Sequence, residues 1–173
     1  MAFETMQDLL IHQLRDIYSA EQQLAKALPK MQEKASAEEL ATAFGAHLSE
    51  TENHIARLDQ IFEILGERSG GVKCKGMQGL IEEAEETLGE DGNEDVVDAG
   101  IIAAAQRIEH YEISAYGSAK AFATLLGFSD IVQLLNQSQE EETRADKKLS
   151  LIATAEVNAR AAGTDPSMAA KTL

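Results

Sequence analysis

Residues 101–126, IIAAAQRIEHYEISAYGSAKAFATLL, decide the fold because a long helical pattern carries an acid on its apolar side. An α-helix turns by about 100° per residue, so the direction of each side chain can be calculated. On that geometry every member of the apolar stripe lies within about 40° of Glu112. The members are Ile101, Ala105, Ile108, Tyr116, Ala119, Ala123 and Leu126. The segment therefore predicts a buried helix with a carboxylate at the centre of its core face.

Four long helical patterns of this kind follow one another along the chain, in two pairs. They cover residues 5–34, 36–65, 95–126 and 129–160. Thr5 with Asp8 indicates the start of the first helix, and Ser36-Ala37-Glu38-Glu39 is typical of a capping box at the start of the second. Gly66 and Gly127 each follow an apolar run and predict helix ends.

The connections between these helices predict the topology. The link within each pair is short, so each pair should form an antiparallel hairpin. A glycine-rich segment, 67–94, separates the pairs and contains a short amphipathic helix at about 77–88. The predicted fold is all-α, a ferritin-like four-helix bundle of two antiparallel hairpins joined by a long crossover that contains a short helix. We expect this domain to span residues 1–162, followed by a flexible tail at 163–173.

Composition agrees with a single helical domain and excludes some functions. The chain has 173 residues, 44% of them hydrophobic, and only 14 are Gly or Pro. Its 30 acids and 15 bases give a net charge of -15, which disfavours nucleic acid as a partner. No apolar run is long enough to span a membrane, and residues 1–10 do not have the pattern of a signal peptide. We therefore expect a cytoplasmic protein that does not bind membranes.

The other three helices also carry acids or imidazoles at the core. Glu21 lies at the centre of the first stripe and Glu142 at the centre of the fourth, with Asp146 about 40° away. In the second helix His47, Glu50 and His54 form a ridge at the edge of the apolar stripe. In the third helix Glu109 lies about 60° from the centre. The neighbouring Glu140 and Glu141 are interpreted as solvated, so that only Glu142 of that run turns inward.

The axial positions of the four central glutamates also match. Glu21 and Glu50 lie about equally far from the first turn, and Glu112 and Glu142 about equally far from the second. Both pairs should therefore meet near mid-helix, about 22 Å from the turns. One buried bare carboxylate costs several kcal/mol, and four together need neutralisation by protons, by Lys or Arg, or by metal ions.

Several segments resemble the YciE/YciF-like family of ferritin-like bacterial stress proteins. They are LRDIYSAEQQLAKALPKM, HLSETENHIARLDQIFEILG, CKGMQGLIEEAEE, AAQRIEHYEISAYGSAKAFATLLG and LLNQSQEEETRADKKL. The resemblance covers the chain up to about residue 160. It implies a ferritin-like bundle, a homodimer and a dinuclear metal site. It defines the fold more sharply than the biochemical activity.

The predicted metal ligands follow from the residues and the resemblance together. They are Glu21, Glu50, His54, Glu112, Glu142 and Asp146, with His47 and Glu109 either as ligands or as groups that orient a ligand. Di-iron carboxylate proteins usually space Glu and His by three residues, but Glu50 and His54 are four apart and Asp146 occupies the second His position. Two metal ions are expected, iron first, with manganese or zinc as alternatives.

Three functions are compatible with this pattern. The first is a di-iron oxidoreductase that oxidises Fe²⁺ with O₂ or peroxide under stress. The second is a metal-binding or structural stress protein without turnover. The third is a helical interaction module whose core acids are protonated and hydrogen-bonded.

The single cysteine, Cys74, lies between Lys73 and Lys75 in the crossover. One cysteine cannot form an intrachain disulfide. Two neighbouring cations could lower the pKa of its thiol, although a lone loop cysteine is more often incidental.

Overall fold

The computed structural model describes residues 3–165, and all the regular secondary structure in this part of the chain is helical. The helices are α1 Met6–Lys34, α2 Glu38–Leu65, α3 Lys75–Leu88, α4 Glu94–Leu125, α5 Ser129–Ile152 and α6 Asn158–Ala161. A π-helical turn, Ala153–Val157, connects α5 to α6. The all-helical class is therefore confirmed. Of the predicted tail, only residues 163–165 lie within the described residues.

The helices pack in the order that the connections predict. α1 packs against α2 and α4 against α5, and each pair is joined by three residues, 35–37 and 126–128. Connections this short require the two helices of a pair to run antiparallel. The pairs meet through contacts of α2 with α5 and of α1 with α4. The short helix α3 lies in the crossover and packs on α1 and α4.

Most helix ends have the chemistry expected from the sequence. Thr5 caps α1, and the side chains of Thr5 and Asp8 bond reciprocally to each other's backbone amides. Gly66 and Gly127 adopt left-handed φ angles of 66° and 77°, which favour glycine where the chain leaves α2 and turns toward α5.

The start of α2 differs from the prediction because a distant aspartate replaces the local capping box. α2 begins at Glu38, and its N-cap residue Ala37 receives no side-chain cap. Instead Asp98 of α4, which is 1% exposed, accepts bonds from the amide (3.0 Å) and hydroxyl (2.7 Å) of Ser36 and from the amide of Ala37 (2.8 Å). A buried carboxylate thus satisfies the free amides at this turn and ties α4 to the first hairpin.

Cys74 is a buried structural residue rather than an exposed loop thiol. Its side chain caps α3, and its Sγ lies 2.9 Å from the hydroxyl of Tyr111, which donates to Asp16. Burial raises the pKa of the Cys74 thiol, although its contact with Tyr111 opposes this. The lowering that Lys73 and Lys75 could cause is therefore not observed, because the side chain points into the core.

The apolar core consists of two clusters. One lies toward the 35–37 turn and contains Leu24, Leu28, Met31, Leu40, Phe44, Ile101, Ile108 and Leu149. The other contains Leu10, Leu14, Ile17, Leu58, Ile61, Phe62, Tyr116 and Leu135. Along each long helix the two clusters are separated by polar residues that are themselves buried, which places a polar layer between them. None of the helices formed by residues 3–165 combines the length and hydropathy that a membrane span requires.

The Asp98 contact gives a direct test of how the two hairpins are joined. Asp98→Ala would leave three polar groups at the 35–37 turn without their acceptor, so we expect the free energy of unfolding to fall by about 3 kcal/mol. Urea denaturation followed by circular dichroism measures this. Asp91→Ala, in an exposed loop, is the control and should change stability by less than about 0.5 kcal/mol. Equal stability of the two variants would contradict the assignment.

Candidate metal centre

The polar layer between the two apolar clusters is made of side chains from all four long helices. α2 contributes three of them, His47, Thr51 and His54, at successive helical turns. The others are Glu21 of α1, Glu109 and Glu112 of α4 and Glu142 of α5. All are buried, and Glu21, Glu112, His54 and Glu142 are 0% exposed.

One group of four side chains converges around His47. Ligand atoms of His47, Glu109, Glu112 and Glu142 all lie within 4.8 Å of one another. Nε2 of His47 is 3.3 Å from Oε2 of Glu109 and 3.5 Å from Oε2 of Glu142. These separations, and the oxygen and nitrogen donors, suit a metal ion placed between the side chains.

A second group of three converges around His54. Ligand atoms of Glu21, His54 and Glu142 also lie within 4.8 Å of one another. Nδ1 of His54 is 2.8 Å from Oε1 of Glu142 and 3.2 Å from Oε1 of Glu21. The hydroxyl of Tyr116 donates a short hydrogen bond to the same Glu21 oxygen, and its ring packs edge-on against His54.

Glu142 belongs to both groups. Its Oε1 faces His54 and its Oε2 faces His47, so one carboxylate lies between the two clusters. His47 and His54 are two helical turns apart on one face of α2, which aligns them with the two ends of this carboxylate. A carboxylate in this position can bridge two metal ions.

The layer leaves an unusual number of buried polar atoms without hydrogen-bond partners. Eight such atoms belong to the two groups: Glu21 Oε2, His47 Nε2, His54 Nδ1, Glu109 Oε2 and both oxygens of Glu112 and Glu142. Even the short contact between His54 Nδ1 and Glu142 Oε1 (2.8 Å) is not aligned as a hydrogen bond. Folded proteins pair nearly all buried polar atoms, and each unpaired one costs about 1–3 kcal/mol. The unpaired atoms point toward one another, which is the arrangement that a bound cation would satisfy.

Burial and mutual repulsion shift the pKa values of these acids. Burial, and then the charges of Glu21, Glu142 and Glu109, raise the pKa of Glu112 well above its usual value. Burial likewise raises the pKa of Glu142 to about 8, although the contact with His54 lowers it. The core therefore disfavours this number of negative charges unless positive charge is added.

The pKa values of the two histidines are also raised, but by attraction to the neighbouring carboxylates rather than by burial. Burial opposes the charged imidazolium, but Glu142 and Glu21 outweigh it and raise the pKa of His54 to about 10. In the same way Glu109 raises the pKa of His47 against the effect of burial. The raised pKa values favour protonated rings, and a metal ion would compete with these protons for the same nitrogens.

The sequence-predicted ligands divide into two sets. Six come together in the two groups: Glu21, His47, His54, Glu109, Glu112 and Glu142. Glu50 and Asp146 lie outside them. Glu50 is half-exposed beside Nδ1 of His47 (3.4 Å), and Asp146 accepts from Gln106 (2.9 Å) and lies 3.3 Å from the exposed His110. As metal ligands these two stay predictions.

The sequence predicts that Glu141 is solvated, but the structure places it in a half-buried position. Its Oε2 is 2.8 Å from Nε2 of His54, and Arg57 pairs with both of its oxygens. Arg57 also donates to the hydroxyl of the buried Ser138 (3.2 Å). Burial raises the pKa of Glu141, but Arg57 and His54 outweigh it and lower the pKa.

This chain of contacts fixes the orientation of His54. A carboxylate on Nε2 leaves Nδ1 directed at Glu21 and Glu142, and such partners commonly orient metal-binding histidines. Arg57, Tyr116 and Glu141 are not among the site residues that the sequence predicts. Arg57 follows His54 by three residues on one helix face, which was an available signal. Tyr116 was assigned only to the apolar stripe, although its hydroxyl needs a partner when buried.

Fold and site together define a class: a helical protein with a buried His/Glu cluster that could hold metal ions. Residues 5–162 match the family model described as "Domain of unknown function (DUF892)", and the chain belongs to that family. It is similar to protein YciF of Escherichia coli strain K12, with 44% identity over 162 residues that cover 93% of this chain and 98% of YciF.

Solved structures agree with this assignment. The crystal structure of YciF, described as an E. coli stress protein, matches 90% of this chain and 98% of its own with a TM-score of 0.87 and 44% identity. YcfI of Rhodopseudomonas palustris, described as a candidate structural protein, is 51% identical with a TM-score of 0.83, over 86% of this chain and 94% of its own. A Xanthomonas campestris pv. campestris protein, 20% identical with a TM-score of 0.70 over 90% of this chain and 96% of its own, shares the fold.

The orienting role of Glu141 can be measured. Glu141→Gln keeps the shape of the side chain but weakens its pairing with His54 and Arg57, so we expect metal affinity to fall about 10–100-fold. Isothermal titration with Mn²⁺, which is not oxidised during the measurement, gives the affinity. Glu140→Gln, at the exposed neighbouring position, is the matched control and should bind like wild type. Unchanged affinity in Glu141→Gln would show that the contact does not position His54.

Proposed function

We propose that this chain is a ferritin-like stress protein that binds two metal ions within a four-helix bundle of α1, α2, α4 and α5. The functional domain in this proposal is residues 1–162. The observation that carries the proposal is the set of eight unpaired polar atoms buried in the two groups that share Glu142.

Each group would hold one ion. Glu109, Glu112 and His47 would bind the first, Glu21 and His54 the second, and Glu142 would lie between them. Four carboxylates and two neutral imidazoles balance the charge of two divalent cations, which removes the repulsion described above. Glu50 and Asp146 would be added only if they turned inward.

The donor set favours iron, with manganese and zinc as alternatives. Carboxylates and imidazoles bind all three, and the one thiol of the chain lies outside both groups. Bound iron would supply one-electron chemistry with O₂ or peroxide, as in an oxidoreductase of the ferroxidase or peroxidase type. This chain's own residues prepare the centre: Tyr116 holds Glu21, and Glu141 with Arg57 holds His54.

The second candidate is a stress protein that binds metal, or is purely structural, without turnover. The favouring observation is that His47 and His54 lie against the buried carboxylates, which raise the pKa values of both rings and so favour a positive charge that offsets part of the negative charge in the core. In either case we propose a cytoplasmic homodimer, which the family resemblance supports.

Metal content tests the proposal directly. Protein reconstituted anaerobically with Fe²⁺ and desalted should retain about two ions per chain, measured by inductively coupled plasma mass spectrometry. Glu142→Gln removes the shared carboxylate and should lose most of this metal, whereas Glu140→Gln should retain it. Because a ligand stabilises the state that binds it, metal should also raise the melting temperature of wild type by about 5–10 °C.

Retention of no metal by wild type would overturn the proposal in favour of a protonated polar layer. Equal retention of metal by Glu142→Gln and wild type would show that the metal binds elsewhere in the protein. Stopped-flow consumption of O₂ or peroxide by the iron-loaded protein then separates the two candidates. Faster consumption of O₂ or peroxide that disappears in Glu142→Gln supports the oxidoreductase. Bound iron that does not accelerate this consumption supports the second candidate, a stress protein without turnover.

A further inference from the structure

A pocket between α2 and α5 opens onto the His47 side of the polar layer. Its volume is about 250 Å³, just below the range of about 300–1,000 Å³ typical of drug-sized ligands. A molecule that fills it must therefore be small. The pocket is larger than the cluster of candidate metal-binding atoms, because it extends from them to the surface of the protein.

The floor and the walls of the pocket differ in chemistry. The floor includes His47 and Glu109, which are 5% and 2% exposed and whose Nε2 and Oε2 atoms have no hydrogen-bond partner. The walls are apolar, formed by Ala43, Phe44, Ala46, Ala145 and Leu149. A ligand with a hydrocarbon body would lie against these walls with its inner end beside the proposed metal ions.

The rim carries two cations in a strongly acidic protein. Arg144 and Lys148 are four residues apart on α5 and therefore share a face. Arg144 has only a loose contact with Glu141, at 3.8 Å, and within residues 3–165 Lys148 forms no ion pair. Glu50 on the opposite wall is already engaged with His47. Lys148 and the loosely paired Arg144 therefore leave positive charge at one edge of the pocket, which attracts an anionic group.

We propose that this pocket binds a small amphipathic monoanion, such as a medium-chain carboxylate. The carboxylate lies between Arg144 and Lys148, and the hydrocarbon chain lies on Phe44 and Leu149 and ends near His47. The inference goes beyond the proposed function, since it names a small-molecule ligand for the pocket beside the metal centre. Only the position of the ligand's inner end next to metal ions rests on that function. The cations at the rim also disfavour this route for entering metal ions.

Octanoate, octylammonium and octanol are probes that share one chain and differ in charge. Titrated into the full-length protein in the presence of EDTA and followed by ¹H–¹⁵N NMR, octanoate should bind at least tenfold more tightly than octylammonium. Its shift changes should centre on residues 43–50 and 144–149. Octanol should bind more weakly than octanoate, because it lacks the contact with the rim.

Two kinds of variant test the location. Arg144→Gln with Lys148→Gln should weaken octanoate about tenfold or more and leave octanol unchanged. Arg107→Gln with Lys147→Gln removes two exposed cations outside the pocket and should have no effect on either probe. Ala145→Phe fills the pocket and should abolish binding of both probes, with circular dichroism and metal content reporting that the fold is intact.

Equal binding of octanoate and octylammonium, or octanoate binding that is unchanged in either the rim double variant or Ala145→Phe, would overturn the proposal. Absence of octanoate binding would do the same. These results are independent of the metal measurement. Metal binding without octanoate binding removes only the pocket proposal, and octanoate binding without metal binding removes the proposed function but leaves a ligand site.

Discussion

The polar layer that divides the core buries several carboxylates, and burying them is electrostatically unfavourable. The fold as a whole depends on this constraint. Glu21, Glu112 and Glu142 are fully buried, Glu109 nearly so, and the groups in the layer that can pair with them are two imidazoles. Moving carboxylates out of water costs several kcal/mol each unless they are paired. The apolar clusters on either side limit the contact of the layer with bulk water to the side next to His47, and therefore raise that cost.

Several other contacts in the fold hold this layer in place. The short links 35–37 and 126–128 bring Glu21 close to His54 and Glu112 close to Glu142. Asp98 ties α4 to the first hairpin at one end. Around the layer, Tyr116 and Arg57 provide bonds to groups that would otherwise be free to turn away. The centre is thus held by helices rather than by loops, which suits a preorganised metal site.

The sequence predicts the helices and the central acids well because both depend on local periodicity. The centring of Glu112 on an apolar stripe is a property of residues 101–126 alone, and the structure buries it completely. The same arithmetic places Glu21 and Glu142 inside. It could not find contacts made between helices: Asp98 replaces the capping box at Ser36, and Arg57 draws Glu141 inward. Both depend on rotations of neighbouring helices that periodicity does not determine.

The direct measurement of the central claim is anomalous X-ray diffraction at the iron edge from crystals prepared with Fe²⁺ under anaerobic conditions. Two anomalous peaks are expected, one on each side of Glu142. One should be bound by His47, Glu109 and Glu112, and the other by Glu21 and His54. Iron bound only outside this layer would contradict the proposed centre. So would a layer without an anomalous peak, in which the four carboxylates are hydrogen-bonded to one another as neutral acids.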